Sequence, residues 1–310
     1  MTKGLKIRVK KLGFVVKHHH PEAAAFALHL ARFALEKGIT VYFADESRPI
    51  AKNLIGSLKN FQTLPKNKVK VVPKNHLVDV TDLILVLGGD GTFLSIARLM
   101  KAKSVPVMGI NMGQLGFLTE IKKSEAIQSL AAILAGKPAQ VHERALFEVS
   151  LKRNGRVVFQ GPVVNDAVIS KGAIARIIEM QINVNGKWVQ NVRADGIIVS
   201  TPTGSTAYAL AVGGPIMEPS LRAMIIASIS PHSLTQRPLV IPDTSEVQIK
   251  LSELPGHVFL TLDGQDAFDM KAGDVVTIRT FKKHSLRLIS SPDRDYFSLL
   301  REKLKFGVRD

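Results

Sequence analysis

The stretch Val80-Thr81-Asp82-Leu83-Ile84-Leu85-Val86-Leu87-Gly88-Gly89-Asp90-Gly91-Thr92 decides the fold. Leu83 to Leu87 is a continuous apolar run rather than an alternating one, so both of its faces are expected to be covered, as in a parallel sheet. Gly88, Gly89 and Gly91 are expected to take backbone angles that other residues avoid and to admit a ligand close to the main chain. A helix over Thr92 to Leu99, and on through Met100, would aim its free N–H groups into that turn, where a phosphate can sit. Asp90 repels such a phosphate. An acid there makes sense if it acts on a hydroxyl or holds a metal ion; the alternative is a plain Gly-Gly-Asp-Gly turn between strand and helix.

Outward from this stretch, strands and helices alternate. Leu12 to Lys17, Ile39 to Phe43, Val69 to Val72 and Val105 to Ile110 read as strands. Pro21 to Lys37, Arg48 to Leu58 and Ser124 to Leu134 read as helices, the first opened by Pro-Glu and closed by Gly38. That alternation implies parallel βαβ units. After Pro138 the texture changes to short strand-like runs: Gln140 to Lys152, Arg156 to Phe159, Val163 to Ser170, Arg176 to Val184, Trp188 to Val192 and Gly196 to Ser200. Arg153-Asn154-Gly155 and Asn185-Gly186 separate some of them as turns, the latter a hairpin cue. Glu246 to Leu251, Val258 to Leu262 and Val275 to Thr280 continue the pattern, and Asp293 to Leu304 reads as a terminal helix.

Composition narrows the class. A chain of 310 residues suggests about two domains. It has no cysteine, which removes disulfide and thiolate chemistry and fits a reducing compartment. No secretory signal is expected, and no apolar run approaches the roughly 20 residues that span a bilayer. The net charge of +16 suits a phosphate-rich partner, but the basic residues are scattered and only 3 Tyr and 1 Trp are available for stacking on bases. The charge therefore reads as solvated surface plus steering of an anionic substrate.

Two further constellations stand out. Gly109-Ile110-Asn111-Met112-Gly113-Gln114-Leu115-Gly116-Phe117-Leu118 follows a strand, and loops of that kind gather where ligands bind in open α/β sheets. Phe117 would wall a base pocket or anchor the loop. Asp195-Gly196 leads a strand into Ser200-Thr201-Pro202-Thr203-Gly204-Ser205-Thr206-Ala207-Tyr208, with a helix expected from near Ser205. Its hydroxyls suit ribose and base edges, or else Ser205 or Thr206 caps the helix. Asn165-Asp166 and Asp263-Gly264-Gln265 read as turns. Neither a Walker loop nor the dinucleotide-dehydrogenase fingerprint is present.

Taken together, Gly88-Gly89-Asp90-Gly91-Thr92-Phe93-Leu94, the loop Asn111 to Leu118, Asp195-Gly196 with Ser200 to Tyr208, Gly213-Gly214-Pro215, Ser230-Pro231-His232-Ser233-Leu234 and Arg237-Pro238 resemble the bacterial NAD kinases. The glycine loop alone is shared with diacylglycerol-type lipid kinases and resembles phosphofructokinase; the Ser200 to Tyr208 run is far more specific. The resemblance implies an α/β N-terminal domain with a Rossmann/phosphofructokinase-like parallel sheet (1–137), a β-rich NAD-binding domain (138–285) and a C-terminal segment (286–310) that returns to the first. It implies an active site between the domains, transfer of the γ-phosphoryl of ATP to the adenosine 2′-hydroxyl of NAD⁺, a divalent metal such as Mg²⁺, and a cytoplasmic homodimer or homotetramer with no nucleic-acid or membrane partner.

The same resemblance assigns residues. Asp90 is the proton acceptor, and Gly88, Gly89, Gly91 and Thr92 bind the ATP phosphates, with the metal held mainly through those phosphates. NAD⁺ is contacted by Asp90, Gly91, Phe117, Asn165, Asp166, Arg176, Arg193, Asp195, Thr206, Ala207, Tyr208, Ala209, Leu210, Ala211 and Gln265. Asp166 stands where many members have Glu, and Ala211 where relatives often have Ser. Arg193 resembles the Arg that accompanies preference for NAD⁺ over NADH. Asp90→Asn is expected to fold, on the premise that glycines rather than the carboxylate make the turn. The competing readings are a lipid kinase and a non-enzymatic basic nucleotide- or nucleic-acid-binding protein.

Overall fold

A computed structural model describes residues 3–57, 66–100, 104–172, 176–252, 256–282 and 285–305. The chain divides into two compact units, Met1–Glu143 with Leu286–Asp310, and Arg144–Ser285.

In the first unit one sheet runs, edge to edge, through Lys3–Leu5, Ala139–Arg144, Leu286–Ile289, Val107–Asn111, Leu83–Gly88, Lys11–Val16, Thr40–Ala44 and Val69–Val72. From Leu286–Ile289 to Val69–Val72 the neighbours pair in parallel, while Lys3–Leu5 pairs antiparallel with Ala139–Arg144. Every residue of Leu83–Gly88 is buried, as its unbroken apolar run requires. Helix Pro21–Glu36 lays Ala23, Ala27, Leu30, Ala31 and Ala34 into the core. It is capped by His20, whose Nδ1 accepts the Ala23 N–H at 3.2 Å. The strand order reverses between Lys11–Val16 and Leu83–Gly88: later strands are added on opposite sides of this pair. The carboxyl ends at such a switch point form the crevice where open α/β sheets take ligands. Val16 pairs with Leu87 and Gly88 with Asn111, so both glycine-bearing loops leave the sheet at that same edge.

The second unit is two antiparallel sheets of six strands each among the described residues. One runs through Arg156–Val163, Phe147–Arg153, Val275–Thr280, Val247–Leu251, Ile178–Val184 and Lys187–Ala194. The other runs through Leu239–Pro242, Ala223–Ile229, Gly196–Ser200, Asp166–Lys171, Val258–Leu262 and Asp266–Asp269. Phe147, Val149, Met180 and Ile182 of the first sheet share a core with Ile169, Ile197, Met224 and Leu260 of the second. Side chains of opposite parity in the second sheet, Val168 and Ile198, pack with Ala209 on its other face. That doubly covered sheet explains the continuous apolar run Gly196–Ser200.

Several boundaries differ from expectation. Gln140 to Lys152 is not one strand. Ala139–Arg144 belongs to the first unit's sheet and Phe147–Arg153 to the second unit's, because alternation of side chains continues straight through the change of partner. The helix after the glycines spans Asp90–Ala97, starting two residues earlier than Thr92, so Asp90 is its first residue and Gly89 its cap. The helix near Ser205 is a single 3₁₀ turn, Thr203–Thr206, then one α turn, Tyr208–Ala211. The helix Lys74–Val80 and the strands Ala223–Ile229 and Leu286–Ile289 carry no period clear enough to have been expected. The helix expected to Leu58 is observed as Arg48–Ser57, and Leu58 lies outside the described residues.

Candidate active site

Asp90 is half-buried and held through both carboxylate oxygens. Its Oδ1 accepts hydrogen bonds from the Leu118 N–H, the Thr119 N–H and the Thr119 hydroxyl, each at 3.0 Å, and its Oδ2 accepts the Phe117 N–H at 2.9 Å. Beyond the turn that the glycines were expected to make, the carboxylate holds a second loop, 117–119, by four donors. Gly116 is the complement of that arrangement, since a Cβ there would lie 2.0 Å from Asp90 Oδ1 and 2.4 Å from Thr119 Oγ1. The preceding residues are fixed by Asn111, whose Oδ1 accepts the Gly113 N–H at 2.7 Å and whose Nδ2 donates to the Gln114 carbonyl.

The glycines of the loop divide by cause. None has a positive φ, against expectation. Gly88 is small because Thr92 and Lys17 press on it: a Cβ would sit 2.6 Å from Thr92 Oγ1 and 3.2 Å from the Lys17 Cβ. A Cβ at Gly89 or Gly91 would meet nothing within 4 Å. Nothing among the described residues requires glycine at these two positions, and their bare backbone leaves room for a ligand to approach. Phe117 is half-buried, with its ring 6.4 Å from that of Tyr296 and Lys303 Nζ 6.0 Å above it. Arg294 donates to the Glu120 carbonyl and to Glu125, tying the C-terminal segment to the residues after the loop.

In the second unit Asn165 and Asp166 do not end a strand; Asp166 begins one. Their backbone is clamped from both sides. Asp263 Oδ1 accepts the N–H groups of Asn165 at 2.7 Å and Asp166 at 3.1 Å, and Oδ2 accepts that of Val164 at 2.9 Å. The Asn165 carbonyl accepts the Thr201 N–H at 2.8 Å and the Ser200 hydroxyl at 3.1 Å, while the Thr201 hydroxyl donates to the Val164 carbonyl at 2.5 Å. Gly204 lies directly beneath, and a Cβ on it would be 2.2 Å from the Asn165 oxygen. Asp166 is only 5% exposed. Burial first, and the neighbouring Asp263 charge second, push its carboxyl up to about 7.

The hydroxyl-rich run is thus divided in its duties. Ser200, Thr201 and Ser205 face inward, and Ser205 caps nothing: its oxygen accepts the Met217 N–H at 3.0 Å and donates to the Pro202 carbonyl at 2.7 Å. Thr206 and Ala207 are partly exposed and Tyr208 is exposed. Ala209 is buried in the packing with Val168 and Ile198, which leaves Leu210 and Ala211 as the more open residues of that turn. Arg176 and Gln265 are exposed, Gln265 two residues beyond Asp263. Asp195 pairs with Lys171 at 3.0 Å. Arg193, opposite Glu179 in its ladder, lines a cavity of about 320 Å³ with Asn191, His232, Ser233 and Gln236. Asp263, Thr119 and Gly116 were missed as site residues. Asp263-Gly264 reads locally as a turn, and only contacts across the sequence reveal its role.

Comparisons with known proteins identify the family. Residues 12–138 match the family model of the ATP-NAD kinase N-terminal domain, and residues 164–290 that of the ATP-NAD kinase C-terminal domain. The chain is 42% identical to the NAD kinase of Citrifermentans bemidjiense over 302 residues, 97% of this chain and 100% of that protein. Among solved structures, yeast NADH kinase complexed with NADH superposes with a TM-score of 0.89 at 25% identity, covering 98% of this chain and 89% of the other. An NAD kinase from Archaeoglobus fulgidus in complex with ATP shares the fold, with a TM-score of 0.66 at 23% identity, covering 94% of this chain and 99% of that one.

Proposed function

The chain belongs to the ATP-NAD kinase family and is an NAD⁺ kinase with ATP as donor, and from that premise we propose how its residues divide the work. The γ-phosphoryl of ATP passes to the adenosine 2′-hydroxyl of NAD⁺. A new bond forms between that oxygen and phosphorus, the bond to the β,γ-bridging oxygen breaks, and the hydroxyl proton goes to Asp90. A ribose hydroxyl is a weak nucleophile, so a positioned carboxylate is what the step needs. The observation that carries this reading is the asymmetry of Asp90: three donors hold Oδ1 and one holds Oδ2. Oδ2 therefore keeps a lone pair for the proton, while Oδ1 fixes the orientation.

Gly88, Gly89, Gly91 and Thr92 take the phosphates, and the open space at Gly89 and Gly91 supports close approach of a ligand to the backbone. Among the described residues no group of three His, Asp or Glu could hold a metal ion by itself. A Mg²⁺ ion would be carried mainly by the triphosphate, where it would offset the repulsion between Asp90 and the phosphates. Asn165 and Asp166 hold the adenosine end of NAD⁺. Gly91, Phe117, Arg176, Thr206, Ala207, Tyr208, Ala209, Leu210, Ala211 and Gln265 complete the contacts, and Asp195 reaches the nicotinamide end. Arg193 disfavours NADH. The protein works as a cytoplasmic homodimer or homotetramer; no helix among its described residues is long and apolar enough to cross a membrane.

Incubation with ATP, Mg²⁺ and NAD⁺ should produce NADP⁺, read by an NADP⁺-specific dehydrogenase, and NADH in place of NAD⁺ should give a weaker signal. Folded protein that makes no NADP⁺ would overturn the reading.

Thr119→Val removes one donor to Oδ1 while keeping the backbone N–H. One hydrogen bond to a charged group is worth about 1.5–3 kcal/mol, so kcat should fall on the order of 10-fold, with both KM values within about twofold and recovery in Thr119→Ser. An unchanged kcat would mean that the hydroxyl does not orient the base.

The raised Asp166 carboxyl gives a pH signature. Below its ordinary value of 3.8 the group is protonated folded or unfolded. Between 3.8 and about 7 the folded state alone holds the proton, so this group's contribution to stability declines as pH rises through that window. NAD⁺ binding should move the other way, because the ionised carboxylate is the stronger acceptor for the adenosine end. At saturating ATP, the KM for NAD⁺ should fall as pH rises through about 7, and Asp166→Asn should flatten that dependence. A flat wild-type profile would remove Asp166 from the binding step.

A further inference from the structure

We propose that Asp263 is a positioning residue for NAD⁺: its carboxylate fixes the backbone of Val164–Asp166 so that the side chains of Asn165 and Asp166 are presented to the dinucleotide. The inference rests on the reading that those two side chains bind NAD⁺.

All the backbone polar groups of this segment are accounted for. Its three N–H groups go to the Asp263 carboxylate, at distances from 2.7 to 3.1 Å. The carbonyls of Val164, Asn165 and Asp166 accept from the Thr201 hydroxyl, the Thr201 N–H with the Ser200 hydroxyl, and the Asp263 N–H at 3.0 Å. The side chains show the opposite. Among the described residues neither the Asn165 amide nor the Asp166 carboxyl takes part in a hydrogen bond. A segment whose main chain is over-determined while its polar side chains stay uncommitted is suited to present them to something else.

The chemistry of the clamp is costly for a purely structural part. Asp263 is 6% exposed and lies beside buried Asp166, so two acids share one site. Asp263 also sits at φ +50, in the left-handed region, as the first residue of the turn that Gly264 continues at φ +62. Placing two buried acids together is the kind of cost that gathers at binding sites.

The test uses the full chain and three variants. Asp263→Gly deletes the carboxylate and tolerates the backbone angle; Asp263→Asn keeps an acceptor and removes the charge; Asn165→Ala reports on the NAD⁺ contact itself. Asp263→Gly should raise the KM for NAD⁺ on the order of 10-fold and leave that for ATP within about twofold. Asp263→Asn, with its single acceptor oxygen, should raise the NAD⁺ KM less. It should also move the pH dependence of that KM to lower pH, because a neighbouring negative charge is gone. That shift reads the charge beside Asp166; the selective rise in the NAD⁺ KM reads positioning.

If Asn165→Ala raises the NAD⁺ KM and Asp263→Gly does not, the positioning role is overturned while the NAD⁺ assignment stands. If neither variant moves it, the assignment fails and the proposal with it. An equal rise in both substrate KM values would assign Asp263 to the general fold and overturn the proposal.

Discussion

Asp90→Asn should lower kcat by on the order of 10²–10⁴-fold, the range expected when a general base is lost. Asn is nearly the same shape, so the comparison isolates the proton acceptor from the space it fills. The four donors around the carboxylate decide how the variant settles. Asn has one acceptor oxygen. Placed at the Oδ1 position it keeps the three donors from Leu118 and Thr119, and its amide then faces the Phe117 N–H. That opposed pair costs about 1–3 kcal/mol, so the variant should fold with a lowered melting temperature. A near-normal kcat in Asp90→Asn would show that the carboxylate is a loop clamp and not the base. A variant that is unfolded at assay temperature would show the clamp to be larger than the hydrogen bonds account for.

The second large effect is on stability and NAD⁺ binding together. In Gly204→Ala the new methyl would lie 2.2 Å from the Asn165 oxygen and 2.5 Å from its carbonyl carbon. These are main-chain atoms, and they cannot swing aside as a side chain would. Relief requires the Asn165 peptide to move away from the Thr201 N–H and the Ser200 hydroxyl that hold it. Overpacking of this kind costs about 1–3 kcal/mol, occasionally more, which for a protein of this size corresponds to a fall in Tm of roughly 2–5 °C. The displaced Asn165 should also raise the NAD⁺ KM on the order of 10-fold. Thermal unfolding with steady-state kinetics checks both. A Tm within about 0.5 °C of the parent, roughly a third of a kcal/mol, would mean that the turn relaxes without disturbing Asn165.

Much of the fold is legible because local and tertiary requirements agree. Leu83 to Leu87 is apolar throughout since both sides of its strand are covered. Asn185-Gly186 and Asn154-Gly155 make tight turns, with positive φ at all four residues, as their chemistry demands. Gln140 to Lys152 misleads because alternation cannot report a change of partner sheet at Arg144. The site is legible as motifs and illegible as a mechanism of support. Asp90 finds its donors 27 to 29 residues away, and Asp263 finds its own 97 to 99 residues away. Both acids sit in sequences that read as turns, and nothing local announces that each gathers backbone N–H groups from another loop.

One feature of the first unit bears on the order in which the protein becomes whole. Leu286–Ile289 lies between Ala139–Arg144 and Val107–Asn111 in the sheet, so the last strand made fills an interior slot rather than an edge. A chain emerging from the ribosome has every strand of the second unit before it has that one. The first unit, although it is translated first, therefore waits with an open seam in its sheet until residue 289 is free, and the later-made unit has all it needs to close while the earlier one is still incomplete.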